Sequence, residues 1–516
     1  MPDASRLSLT RDRTLLLTAA GGSLLISCWL ILSNDVINRD GVRYVAAAEA
    51  IAAGNLQGAF DAFPWPFHAA LMAAVHVVTG LSAEMSGYLL IPPLHLLVVF
   101  AFLAILREMG GTKPVLWAGL ALVLLHPELN DTLPSILRDQ GYWAFWLLGL
   151  LHFIRYLKRR RWRDAVLWTL WTALALLFRI EGLVFLLLMP LALLASSGER
   201  WKARLFSAAR IYAPAACLAG LMLASAVMLG RDAIMLDEGR LLEPLQRVQN
   251  IWVGITDRIT SHGWELGKTL LPRYSRNHGP AAMWVVLVYI AAIESFRAVN
   301  WLYVALAVAG GFVRRLRPDA RILPVIWWAM AINFMLIGGF VLSEFYLSMR
   351  YAAGLGLVVM LLASFGLASL WQNEKERCWT SRTNRLAYPA AVTALVIVGA
   401  SGLISIGPRK DHERAAGAWV REHVPMEDSV FFDDMRLGYY AGRPYERGTN
   451  HSWPLVRSLL RKGEHHEYEV LVLRFSRRWP EQFTLATKLI GSEPIQQFEN
   501  NRGDFVAVFR PEREEP

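Results

Sequence analysis

Cysteine is nearly missing from this chain: three in 516 residues, at Cys28, Cys217 and Cys378. Two of them fall in apolar runs, the third in a basic loop, and none in the C-terminal tail. That excludes a disulfide framework and a cysteine-based zinc site. Several functional motifs are missing as well. There is no P-loop, no G-x-G-x-x-G after a strand and no H-E-x-x-H. No internal repeat or low-complexity segment is found. No A-x-A cleavage site follows the first apolar run, residues 15–32, which is too long for a signal-peptide core and reads as an uncleaved membrane helix.

What the chain does have is apolar length. It is 54% hydrophobic, with 20 Trp and 23 Phe, and its apolar runs repeatedly approach the ~20 residues that span a bilayer. This describes a polytopic α-helical membrane protein. A net charge of +10 would suit nucleic acid, but the cations are placed otherwise. Lys and Arg gather in the short loops 155–163, 200–210, 314–321 and 375–385, as the positive-inside rule requires. The expected surroundings are membrane lipids, not nucleic acid.

Arg6, Arg11 and Arg13 place the N-terminus in the cytoplasm. Residues 34–66 then form an outer loop containing a helix that Asp40 caps and Gly54 ends. Pro64-Trp65-Pro66 is a breaker. Residues 67–79 are apolar but only about two-thirds of a span, so they read as a helix at the outer surface. Crossings follow at 86–106, 114–125, 141–157, 165–178, 183–194 and 211–229, with outer loops at 127–140 and 231–279. Within 281–313, Glu294-Ser295-Phe296-Arg297 interrupts the apolar run. The reading is one crossing at 300–313, with 281–293 a surface or re-entrant helix. Crossings at 322–342, 351–371 and 387–406 bring the total to about eleven, with the C-terminus outside. Residues 1–406 are thus a transmembrane domain, and 407–516 a soluble one. Helices at 411–424, 454–461 and 481–490 alternate there with strands at 429–432, 468–475 and 504–510, the pattern of a small α/β domain.

On this topology four charged groups share the outer interface: Asp40/Arg43/Tyr44, Arg138/Asp139, Arg179/Glu181 and Glu344/Arg350/Tyr351. Charge at membrane level is costly and points to function. Carboxylates can act as general base, and arginines can clamp a phosphate through paired hydrogen bonds. Taken singly, each residue reads equally well as a helix cap or a snorkelling anchor. His465-His466 is metal-binding chemistry in type, but reads as exposed loop. A transporter of lipid-linked sugar would show inverted repeats and broken helices at the midplane, and neither is seen. A polysaccharide polymerase or ligase stays as the nearer alternative.

The stretch Asp40-Gly41-Val42-Arg43-Tyr44, with Ala46–Ala48, Glu49 and Gly54-Asn55 after it, resembles the first outer loop of membrane glycosyltransferases of the GT-C fold. The nearest pattern is the branch of protein O-mannosyltransferases and the lipid A aminoarabinose transferase, where D-E-x-x-Y opens a juxtamembrane helix. Residues 63–82 resemble the Pro-rich juxtamembrane segment that follows. Phe178–Gly182 resembles the basic turn after the fifth helix, and Met349-Arg350-Tyr351 the late R-Y motif. Residues 419–443, with Asp433-Asp434 and Tyr439-Tyr440, resemble the start of the outer domain. Gly41 departs from the pattern by replacing its second carboxylate.

The resemblance implies a polyprenyl-phosphate-sugar donor and a glycan, lipid or protein acceptor, used at the outer face of a bacterial cytoplasmic membrane. Asp40 would be the catalytic carboxylate and Asp139 a second candidate. Arg179 and Arg350 would hold the donor phosphate, with Arg43, Tyr44 and Tyr351 beside it. Arg138, Glu181 and Glu344 are further candidates. No cofactor or divalent metal is required, because arginine can stabilise the leaving phosphate.

Overall fold

The computed structural model describes residues 12–195, 200–229, 243–313, 315–376, 382–404, 410–446, 448 and 450–511. Arg6, Arg11, Arg314, Cys378 and the beginning of the outer loop 231–279 lie outside the described residues. In chain order the first helices are α1 (Arg13–Leu32), α2 (Arg39–Ala52), α3 (Leu56–Ala62), α4 (Phe67–Thr79), α5 (Ala83–Glu108), α6 (Lys113–Leu124) and α7 (Pro127–Thr132). Then come α8 (Asp139–Arg159), α9 (Trp162–Phe178), α10 (Glu181–Leu188), α11 (Trp201–Leu229), α12 (Glu243–Leu270), α13 (Gly279–Val299) and α14 (Trp301–Val313). The last apolar helices are α15 (Leu323–Glu344), α16 (Met349–Glu376) and α17 (Arg382–Leu403). The C-terminal part runs α18 (Asp411–His423), β1 (Val430–Phe432), α19 (Met435–Tyr440), α20 (Trp453–Arg461), β2 (Val470–Phe475), α21 (Pro480–Ile490), β3 (Gln496–Glu499) and β4 (Phe505–Phe509).

The chain forms two compact units. One comprises Met1–Ser27, Pro92–Thr132 and Arg138–Leu403; the other comprises Cys28–Ile91, Leu133–Leu137 and Ile404–Pro516. The expected boundary at 406/407 therefore separates stretches of chain but not compact bodies. Residues 28–91 pack with the C-terminal stretch because α2 and α4 bury Val42, Tyr44 and Met72 in one apolar cluster with Met435.

The first unit is helical. Its centre is α16, whose apolar stretch is 94% buried, against 22% for α13 and 17% for α17. A helix apolar all round belongs in a core, and one left bare belongs against lipid. Six helices of the described chain are long and apolar enough to cross a membrane, and four more apolar helices have 10–17 residues. Two expectations need correction. The outer stretch 231–279 is not a loop, because α12 runs through 28 of its residues; its charges decorate one face of an amphipathic helix. Nor does Glu294–Arg297 interrupt α13, where Arg297 simply pairs with Glu294 one turn earlier at 2.9 Å. The break falls at Asn300 (φ 68°), whose Oδ1 accepts from the Leu302 amide at 3.0 Å and so starts α14.

The second unit contains a four-stranded sheet in the order β1-β2-β4-β3. Strands β1 and β2 are parallel, with Val430 opposite Val470; β4 is antiparallel to β2 and to β3. Alternation along β2 sends Val470 and Val472 to one face and Leu471, Leu473 and Phe475 to the other. The first face is covered by α18 and α19, the second by α20 and α21. The small α/β domain expected from the sequence is this layered sheet.

Candidate active site

In the first unit the site grows from one turn. Helix α9 ends at Phe178, Arg179 is extended at φ −149°, and α10 starts at Glu181. Gly141 lets α8 approach this turn, since a Cβ there would lie 2.2 Å from the Phe178 ring. Asp139, in the first turn of α8, is 2% exposed, and Arg179 is 3% exposed. Arg179 donates through Nη1 to Asp139 and through Nε to Glu181 at 3.1 Å; Nη2 also donates to Glu181. Its guanidinium lies over the Tyr351 ring at 4.4 Å and the Tyr142 ring at 5.6 Å.

Four of the expected residues therefore meet: Asp139, Arg179, Glu181 and Tyr351. Arg350 joins them from the first turn of α16, its guanidinium 5.4 Å from the centre of the Tyr351 ring, which also stacks on Phe340 at 4.1 Å. Arg138, half-buried just before α8, adds its charge to the field at Glu181. Glu344 ends α15 exposed and makes no bond to the cluster among the described residues. A buried cation must be paired, and here two carboxylates occupy three nitrogens of Arg179. A phosphate reaching Arg179 would have to displace one of them. Tyr142, the second ring beneath Arg179, was not expected; it reads from sequence as one aromatic in an apolar run.

Asp40, Arg43 and Tyr44 lie in the second unit, on α2. The cap expected of Asp40 falls instead to Asn38, with Asp40 inside the first turn. There its negative charge complements the positive end of the helix dipole. Asn38 makes no side-chain cap bond; its amide donates to the Ile136 carbonyl at 3.1 Å and accepts from the Ile136 N–H at 2.9 Å. Tyr44 is 2% exposed and packs against Phe63 and His68, with ring centroids at 4.6 and 5.2 Å. Its ring is a packing element. Arg43 is half-buried, and its Nε makes no hydrogen bond among the described residues. The face of α2 carrying Val42, Ala46 and Glu49 walls a cavity of about 1050 Å³ with Tyr439, Arg443 and Tyr445 opposite.

Helix α2 is held by α19. The Ile37 N–H donates to the Tyr440 hydroxyl at 2.7 Å. Arg39 donates through Nε to Asp434 at 2.9 Å. Asp434 is fully buried and also receives Arg436 at 3.0 Å and Arg474 at 2.6 Å. Burial alone would raise its pKa, but the Arg436 bond and the charges of Arg474, Arg436 and Arg39 outweigh that and hold it below the ordinary carboxylate range. Asp433 is the reverse case: burial pushes it up to about 6 despite Arg474 at 3.1 Å. The Asp-Asp pair after a strand was visible in the sequence, but its partner Arg39, almost four hundred residues away, was not. Among the described residues no group of three His, Cys, Asp or Glu side chains is placed to hold a metal ion.

No family model matches this chain, and no curated protein does. Solved structures do. The oligosaccharyltransferase AglB of Archaeoglobus fulgidus, in complex with an inhibitory peptide and a dolichol-phosphate, is 12% identical; the match covers 99% of this chain and 75% of that one at TM-score 0.53. The same archaeal enzyme tethered to an acceptor peptide gives 12% identity, 98% and 75% coverage and TM-score 0.54. The arabinofuranosyltransferase AftD from Mycobacteria is 14% identical, with 98% of this chain matching 40% of that one at TM-score 0.51. The fold is that of the GT-C membrane glycosyltransferases.

Proposed function

We propose that this chain moves a sugar from a polyprenyl-phosphate-linked donor to an acceptor at the outer face of a bacterial cytoplasmic membrane. The observation that carries the reading is the match of almost the whole chain, 99%, to an oligosaccharyltransferase in complex with an inhibitory peptide and a dolichol-phosphate. In the reaction an acceptor oxygen or nitrogen attacks the anomeric carbon, the bond from that carbon to the phosphate oxygen breaks, and polyprenyl phosphate leaves. Asp40 takes the acceptor proton. Arg350, over Tyr351, meets the departing phosphate. Arg179 is a positioning residue that fixes Asp139, Glu181 and Tyr351 around it. Arginine takes the charge of the leaving group here, so the step calls on no divalent metal.

A cavity in the first unit supports this reading for the prenyl tail. An apolar cavity of about 880 Å³ lies among α13, α14, α15 and α16, with Leu355, Val359 and Leu362 of α16 in its wall. At 1.5 Å rise per residue Leu355 is about 8 Å along the helix from Arg350, which suits a phosphate at one end and a lipid tail below it.

The test uses the purified full chain in nanodiscs with polyprenyl-phosphate-sugar extracted from its host membranes. Expected is release of polyprenyl phosphate that survives chelation, is lost in Arg350→Ala and is barely restored by Arg350→Lys, which cannot make a paired contact. Envelope glycans and lipids compared by mass spectrometry, with and without the chain, identify the acceptor. No donor-dependent release from well-folded protein would sink the proposal.

A further inference from the structure

The second unit has a second cavity, of about 520 Å³, that the transfer reaction does not use. It opens beyond the carboxyl ends of the parallel pair: Asp433 follows β1 directly, Phe475 ends β2, and Ser476 comes next. A crevice outside the carboxyl ends of parallel strands is where open α/β sheets bind small ligands.

Its charges are balanced. Arg39, Lys410 and Arg474 line it together with Glu413, Asp433 and Asp504. Most of these are already engaged: Arg39 with Asp434, Arg474 with Asp433, and Asp504 with the Ser476 hydroxyl at 2.7 Å. Lys410 makes no ion pair among the described residues, and the other side chains left over are neutral. Asn450, His451, Ser452 and Gln482 line the cavity, and their side chains make no hydrogen bond among the described residues. Trp453, half-buried beside them, has an indole N–H in the same condition and meets Phe475 edge-on at 6.2 Å.

We infer that this cavity binds a neutral saccharide of one or two rings, with Asn450, His451 and Gln482 taking hydroxyls and Trp453 the apolar face of a ring. Each planar amide offers a donor and an acceptor side by side, matching neighbouring hydroxyls. An indole supplies apolar surface with one polar edge. The volume is within the range of small-ligand sites. Balanced charge argues against a phosphate or a uronic acid. A peptide captured by strand addition needs a free edge, whereas the strand residues in this wall belong to β2 and β4, the two inner strands.

The experiment is saturation-transfer NMR on the full chain in nanodiscs, free of glycosidic detergent. The probes are glucose, galactose, mannose, their common disaccharides, glucuronate, inorganic phosphate and a neutral tripeptide. Expected is transfer to at least one neutral sugar, reduced ~10-fold or more in Trp453→Ala and in the double variant Asn450→Ala/Gln482→Ala. Asp40→Asn should leave it unchanged, so a failed transfer reaction and a failed binding site are told apart. The double variant changes an exposed and a half-buried polar group and guards against loss of fold in Trp453→Ala; thermal melting checks both. The proposal is overturned by no transfer to any sugar, by undiminished transfer in both variants, or by preference for glucuronate, phosphate or the tripeptide.

Discussion

Gly41 stands where the resembled motif has a second carboxylate, and packing explains it. A Cβ at Gly41 would lie 2.6 Å from Asn38 Oδ1 and 2.9 Å from the Ile37 side chain. That oxygen accepts from the Ile136 N–H, so a larger residue would break the clamp under α2. The departure therefore leaves Asp40 as the carboxylate to test. Because Asn38 and not Asp40 precedes the helix, a capping role cannot confuse the result. The helix-dipole part of the cost of Asp40→Asn or Asp40→Ala is ~1 kcal/mol or less of stability. Both should lose turnover by ~10²-fold or more if Asp40 is the base. Transfer assays beside thermal melts decide; near-normal turnover in Asp40→Asn would pass the role to Asp139. Arg179 makes the opposite demand. Removing it leaves Asp139 buried without its cation, so Arg179→Ala should destabilise by roughly 3 kcal/mol or more. A variant as stable as the parent, with only a raised KM for donor, would make Arg179 a phosphate contact instead. The Arg179–Glu181 turn was legible because its parts are two residues apart. Tyr142 and Tyr351 reach Arg179 only through the tertiary fold, which no local pattern records.

At the scale of elements, legibility followed punctuation. Helix α4 was read to its last residue because Pro66 precedes it and Gly80, at φ 73°, ends it. Strands β1, β2 and β4 were found from apolar runs bounded by polar turns. Strand β3 was missed because its four residues, Gln496–Glu499, are mostly polar and exposed. Helix α12 was missed because its charged and polar face breaks up the apolar run of a membrane span. The loop after β1 carries a prediction of its own. Asp433 is raised to about 6 from an ordinary 3.8 by burial, opposed by Arg474 and reinforced by Asp434. A folded value above the unfolded one means that the protonated form is favoured by folding. Its contribution is fully present below about 3.8 and is lost as the pH rises through 6. The melting temperature of the parent should therefore fall, relative to Asp433→Asn, between pH 4 and 7. Parallel pH profiles for the two proteins would show that Asp433 does not titrate in that window.

At the scale of the whole molecule, membrane class and repeated helices were legible from apolar length alone, whereas the count of crossings was not. The difficulty lies at α13 and α14, and three contacts bear on it. Glu108, at the end of α5, receives Arg155 at 2.9 Å and Arg159 at 3.2 Å. The next residue, Met109, accepts through its carbonyl from the Asp319 N–H at 2.8 Å. The basic stretches 155–163 and 314–321 therefore meet at one end of the helical unit. If α9, α10 and α11 each cross, α12 lies on the opposite side from residues 155–163. The chain must return across the membrane between α12 and residue 315. Helices α13 and α14 together then make one net crossing, bent at Asn300, and not two. If α15, α16 and α17 each cross as well, the chain leaves α17 on the side away from its basic loops. By the positive-inside rule those loops are expected in the cytoplasm. Single cysteines introduced into a chain whose own three are replaced by serine should report this. Arg159→Cys and Arg321→Cys should resist a membrane-impermeant thiol reagent in spheroplasts and react once the membrane is opened. Lys462→Cys should react in both. Labelling of Arg321→Cys in intact spheroplasts, with Arg159→Cys still protected, would mean that α13 and α14 each cross. It would also place Arg315, Arg317 and Arg321 outside, against the charge rule, and reverse the side on which the chain leaves α17.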